Sequence, residues 1–158
     1  QQQQSDATKE YELLQTLLKE PVLALPFTPF SPALDGATIA ADLLGGSIAL
    51  QQKNYPAAIE HFSKAVSTEE QMTYNEPRDW LLNPKHYLGN AYLQAKDWKK
   101  AEEVLLNDLK NNNHNVWALT GLHTAYRMQG KTKEATALQQ QIKKAAATAN
   151  VKITAPVL

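Results

Sequence analysis

The chain has 158 residues, of which 43% are apolar and 20% charged, and its 16 Lys and Arg residues balance 16 Asp and Glu residues. These values are typical of a soluble domain with one buried core, and zero net charge gives no general attraction to nucleic acid or to an anionic membrane surface. There is no cysteine, which excludes disulfides, thiolate zinc sites and a cysteine nucleophile, but leaves the compartment undetermined between cytoplasm and periplasm.

The N-terminal section, residues 1–34, precedes the main domain. Tyr11, Leu14 and Leu18 follow a helical spacing that predicts an amphipathic helix over 7–19. Four prolines in 21–32 forbid a regular helix, and we expect an extended segment packed over the edge of the domain.

Two further expectations concern the start of the chain and its relation to membranes. The chain begins with four glutamines and no methionine, so we expect an excised part of a longer protein. We see no apolar run approaching the roughly 18 residues that a bilayer span needs, and no basic-then-apolar leader. We therefore expect no membrane span.

Residues 35–149 contain a repeated pattern of small and large side chains. The second and third copies are 34 positions apart, and the first copy lies 43 positions before the second. The difference of nine residues predicts an insertion in the connection 71–82. The pairs at 34 are Leu88 with Leu122, Tyr92 with Tyr126, Lys96 with Gly130 and Ala101 with Ala135; those at 43 are Gly46 with Gly89, Ala49 with Tyr92, Tyr55 with Trp98, Ala58 with Ala101 and Phe62 with Leu105.

The pattern predicts an all-α fold of antiparallel helix pairs. Glycine and alanine let two helices approach closely where a large side chain fills the gap, and about three stacked pairs are needed to bury a core. Asp97 is a predicted N-cap, and Gly130 suits a helix C-terminus. The predicted pairs are 36–52 with 55–67, 84–95 with 98–111, and 115–129 with 133–148, followed by a short extended or frayed tail at 150–158.

Residues 37–149 resemble the tetratricopeptide repeat family, which has this period. The resemblance implies a right-handed superhelix that binds other proteins. A narrower similarity, to the C-terminal part of large bacterial tetratricopeptide proteins of uncertain role, implies no activity. Its residues lie at 74–80, 88–89, 101–102, 108–109 and 116–122.

No spacing of histidines or carboxylates in the sequence indicates a metal site or a catalytic site. His61, His86, His114 and His123 do not form a metal motif. The acidic pairs at 69–70 and 102–103 suit the polar faces of helices better than general acid and base catalysis. We therefore expect no catalytic residue, no metal and no cofactor.

In the family that this chain resembles, the first helix of each pair lines a concave groove. The groove is expected to hold a peptide or another part of the same longer chain. Carboxylate-clamp members carry Lys, Asn and Arg at set groove positions, where this chain has Leu43, Ser47, Tyr87, Trp117 and Gly121, so chaperone-tail binding is not expected. The groove positions implied here are Leu43, Ser47, Leu50, His86, Asn90, Leu93, Trp117, Thr120, Thr124 and Arg127.

The insertion is a second candidate site, with Tyr74, Glu76, Arg78 and Trp80 as its notable residues. We favour local packing of Trp80 over a recognition loop, and both interpretations stay open. The leading hypothesis is a non-catalytic protein-interaction scaffold. The alternatives are a regulatory or positioning module attached to an upstream catalytic region, and a structural cap without a ligand.

Overall fold

The computed structural model describes residues 2–73, 80–148 and 153–157, and these contain seven α-helices and no strand. The predicted all-α class is therefore confirmed. Helices adjacent in sequence pack together, α1 on α2, α2 on α3, α5 on α6 and α6 on α7. The helices are α1 Gln2–Leu17, α2 Ala33–Gln51, α3 Tyr55–Gln71, α4 Pro84–Gln94, α5 Trp98–Asn111, α6 Val116–Met128 and α7 Thr132–Ala145.

The chain forms two compact units, Gln1–Pro84 and Lys85–Leu158. The division falls just after the predicted insertion at 71–82, of which residues 74–79 lie outside the described part of the chain. Each unit has its own buried residues.

The core of the first unit lies between α2 and α3. Ile39 and Phe62 are completely buried, and a Cβ atom at Gly46 would overlap the Phe62 ring. Helix α1 also packs on α2, since a Cβ atom at Gly45 of α2 would lie 2.8 Å from the Tyr11 ring of α1. Glycine at both positions therefore lets aromatic rings lie directly on the α2 backbone.

The second unit repeats this arrangement between α4 and α5. A Cβ atom at Gly89 would lie 2.7 Å from Leu105 Cδ2, and Leu105 also packs in a cluster contributed by α5, α6 and α7. The tail was predicted to be extended or frayed; it is not frayed at Pro156, which is buried and would lie 3.0 Å from a Cβ atom at Gly121. This part of the tail is packed on α6.

In each of the three helix pairs, a turn joins the first helix to the second, and the three turns share one backbone conformation. Lys53, Lys96 and Gly130 are left-handed, with φ of 60°, 62° and 74°. They are separated by 43 and 34 positions, the spacings of the sequence repeat. The residue after each donates its N–H to a helix carbonyl five positions back, at 2.9 Å in all three turns. The repeat is therefore present in the backbone as well as in the residue types.

The Pro-rich segment before α2 differs from the expected extended segment packed over the edge of the domain. It forms one 3-10 turn, Pro21–Ala24, beside α2. Its large apolar side chains stay in solvent: Val22 is 64% exposed, Leu25 60%, Phe27 64% and Phe30 42%. The turns forced by proline leave few contacts for these side chains.

By length and composition alone, helix α2 could cross a membrane, although no apolar run of that length was noted in the sequence. It has 19 residues, including Asp35 and Asp42, and about a third of its most apolar stretch is buried inside the chain. The core helix of a soluble protein meets the same criterion. This property alone does not identify a membrane segment.

Candidate functional site

The predicted groove residue His86 makes a buried hydrogen bond to Asp108. Its Nε2 donates to Asp108 Oδ2 at 3.0 Å, and Asn112 Nδ2 donates to the other carboxylate oxygen at 2.6 Å. Asp108 is only 1% exposed. The imidazole is therefore engaged inside the second unit and is not presented to a partner.

The remaining groove positions divide by exposure. Thr120 and Thr124 donate their hydroxyls to carbonyls of their own helix, at 2.8 and 3.2 Å, and Ser47 does the same to Leu43 O at 2.7 Å. Leu43, Asn90, Leu93 and Thr120 are buried; Ser47, Leu50, Trp117 and Thr124 are half-buried; Arg127 is exposed.

Of the predicted insertion residues, Tyr74, Glu76 and Arg78 lie outside the described part of the chain. Trp80 is half-buried, and its Cε3 would lie 3.9 Å from a Cβ atom at Gly36. Its indole N–H is buried without a hydrogen-bond partner among the described residues. Trp80 therefore packs close to the start of α2.

A polar cluster joins α1, α2 and α3 in the first unit. His61 Nδ1 lies 2.9 Å from Asp42 Oδ1, and the Tyr11 ring meets the imidazole edge-on at 6.0 Å. Partial burial and the Asp42 carboxylate raise the pKa of Tyr11, against the opposing effect of Lys64. The cluster fixes the orientation of the imidazole and attaches α1 to the helix pair.

A second cluster ties α5 to the turn before α7. Lys131 Nζ donates to both oxygens of Glu102, at 2.6 and 2.7 Å, and Gln129 Nε2 donates to the same carboxylate at 2.6 Å. Burial acts to raise the pKa of Glu102, but the hydrogen bonds from Lys131 and Gln129, with the nearby positive charges, lower it overall. The charge of Lys131 is thereby neutralised within the unit.

Two cavities open on the surface. The first unit has an apolar cleft of about 330 Å³ beside the Pro-rich segment. Ser31 is buried at this cleft and accepts a hydrogen bond from Thr73 N at 2.8 Å. The lining residues are Phe27, Phe30, Ser31, Pro32, Ala33, Gly36 and Met72.

The second unit has a smaller and more polar cavity of about 240 Å³ between α6 and α7. It contains Arg127, which the sequence singled out, and His123, which the sequence noted without a role. The lining residues are His123, Arg127, Thr132, Ala135, Thr136 and Gln139.

Within the ranges 2–73, 80–148 and 153–157, no three His, Asp or Glu side chains come together as a metal site would require. No protein-family model matches the chain, and no curated protein matches it either. Proposals for function therefore depend on the two cavities and the surfaces around them.

Proposed function

We propose that this chain is a non-catalytic protein-interaction scaffold. The observation that supports it best is the exposed apolar surface of the Pro-rich segment, residues 22–30, which borders the cleft of about 330 Å³. Contiguous exposed apolar patches on soluble proteins commonly mark interaction surfaces. The partner that fits is a protein segment carrying large apolar side chains.

The size of the effect can be estimated from Phe27, which is 64% exposed. A phenylalanine buries about 150–250 Å² when fully covered, and apolar area contributes about 25 cal/mol per Å². Covering the exposed part of one such ring would therefore contribute about 2–4 kcal/mol before the entropic cost of association. Phe27 and Phe30, with ring centroids 5.4 Å apart, form one patch, and together they could anchor a peptide.

We also propose that the helix pairs are tetratricopeptide repeats stacked in a right-handed superhelix, with the chain a member of that family. The left-handed turns at spacings of 43 and 34 support this, as do the Gly46–Phe62 and Gly89–Leu105 contacts at equivalent positions. In such a superhelix the exposed or half-buried groove residues Trp117, Thr124 and Arg127 form a second contact surface. The similarity to large bacterial tetratricopeptide proteins remains part of this proposal.

The test is selection of peptides from a displayed random library on the immobilised chain, followed by affinity measurement with the purified peptides. Selected peptides should be rich in apolar residues, and Phe27→Ser and Phe30→Ser should each weaken binding at least about tenfold, which corresponds to about 1.4 kcal/mol. Met128→Ser is the matched control, because Met128 is also exposed but lies in the second unit.

Failure to select any peptide above background would contradict the scaffold function. Peptides unaffected by both phenylalanine substitutions but lost with Trp117→Ala would contradict the assignment to the Pro-rich segment and move the interaction to α6.

A further inference from the structure

The third helix pair departs from the other two at its contact position. In α2–α3 this position holds Gly46 against Phe62, and in α4–α5 it holds Gly89 against Leu105. The residues 34 positions after Gly89 and Leu105 are His123 and Gln139. A small residue packed against a large apolar one has therefore been replaced by two polar side chains.

These two side chains line the cavity of about 240 Å³, together with the cationic side chain of Arg127. Among the described residues, the side chains of His123, Arg127 and Gln139 have no hydrogen-bond or ion-pair partner. Lys131, close by in sequence, differs because its charge is neutralised by Glu102. The cavity thus has a solvent-exposed guanidinium without an ion-pair partner among the described residues, with an amide and an imidazole beside it.

The two lining threonines already use their protons. Thr136 Oγ1 donates to Thr132 O at 2.9 Å, and Thr132 Oγ1 donates to Gly130 O at 3.4 Å. The free donors are therefore the N–H groups of Arg127, Gln139 and His123. Because α7 begins at Thr132, the positive end of its helix dipole adds to the potential of the cavity.

The electrostatics of His123 agree with an anion-binding cavity. Partial burial lowers the pKa of His123, and the positive charge of Arg127 lowers it further. The other lining side chains, all contributed by α7, are uncharged. An anion beside Arg127 would offset its charge, so binding should raise the pKa of His123.

We propose that this cavity is a subsite for a carboxylate, presented by an acidic side chain of a partner peptide. An Arg guanidinium pairs with a carboxylate through two parallel hydrogen bonds, and a single full positive charge matches a monoanion. The volume is below the roughly 300–1,000 Å³ of pockets for whole small molecules, which suits one side-chain group. The inference rests on the proposed function only in that the carboxylate belongs to a partner protein.

The test is NMR titration of the full chain with N-acetyl-glutamate amide, followed at the His123 ring signals. Saturable shifts with a Kd of about a millimolar are expected for one charged group, with a rise in the pKa of His123. N-acetyl-glutamine amide, which differs only by the carboxylate, should give no saturable shift. Arg127→Gln should weaken binding at least tenfold, and Lys133→Gln, which removes an exposed charge outside the lining, should leave it unchanged.

Three results would overturn the carboxylate subsite: no saturable shift with the glutamate compound, equal loss with Lys133→Gln and Arg127→Gln, or tighter binding of inorganic phosphate. Because the capped amino acid needs no selected peptide, failure of the library selection with a positive titration would reject the proposed function and support the subsite.

Discussion

Replacing Gly46 with alanine tests the close approach of α2 and α3. The new Cβ would lie 2.7 Å from Phe62 Cδ1 and 2.8 Å from Phe62 Cζ, far inside the roughly 3.5–4.0 Å of favourable carbon contacts. The ring is rigid and completely buried, so it cannot turn out into solvent. Overpacking of this kind costs about 1–3 kcal/mol or more, and alanine regains about 1 kcal/mol of helix propensity. We expect a net loss of about 1–2 kcal/mol in the free energy of unfolding.

Chemical denaturation followed by circular dichroism would measure this change. Gly36→Ala is the matched control in the same helix, because its Cβ would be 3.9 Å from Trp80. It should gain up to about 1 kcal/mol from helix propensity. Phe62→Leu should partly relieve Gly46→Ala, with a coupling energy of about 1 kcal/mol. If Gly46→Ala were as stable as the native chain, the close approach of α2 and α3 would be refuted.

Three further predictions concern the polar groups. Asp108→Ala should cost about 1–3 kcal/mol, because it leaves the buried His86 ring N–H without its acceptor; a loss well under about 1 kcal/mol by denaturation would contradict a buried pair. Trp80→Phe should be at least as stable as the native chain in thermal melts, because it removes an unpartnered indole N–H, and a clearly lower melting temperature would contradict this expectation. The lowered pKa of Glu102 contributes stability above the ordinary carboxyl value of 4.5, and this stability is lost as pH falls through the lower folded pKa. The difference in melting temperature between the native chain and Glu102→Gln should therefore shrink in acid, and a constant difference would argue against the Lys131 pair.

Most helix boundaries could be predicted because local signals mark them. Asn54 and Asp97 both cap a following helix by accepting a backbone N–H, from Ala57 and Lys100. The end of α3 was predicted too early, at residue 67 rather than Gln71. The intervening Glu69, Glu70 and Gln71 are good helix formers, so nothing in this stretch stops the helix.

The polar pairs could not be predicted from local spacing, because each joins two different helices. Asp108 follows Ala101 and Leu105 on the buried face of α5, and a carboxylate at that spacing is the signal that could have revealed a buried pair. The partner, His86, is 22 residues away. Only the packing of α4 and α5 brings them together.

The polar cavity was also partly visible in the sequence. Gln139 and Thr132 stand where the tetratricopeptide pattern, which this chain resembles, prefers large apolar residues. That departure suits a terminal repeat with a polar outer face. Their convergence with Arg127 and His123 depends on how α6 packs against α7.

A solvated cap and a ligand site make different demands on this third helix pair. A cap needs only polar side chains that point into water, where each finds hydrogen-bond partners. At the positions where the two earlier pairs gain apolar packing, this pair has the half-buried His123 and the exposed Gln139, which both line the cavity. The third pair therefore lacks the apolar contacts that stabilise the two earlier pairs. A solvated cap accounts for the exposure of Arg127 and Gln139, whereas a ligand carboxylate would engage the donors of both side chains together.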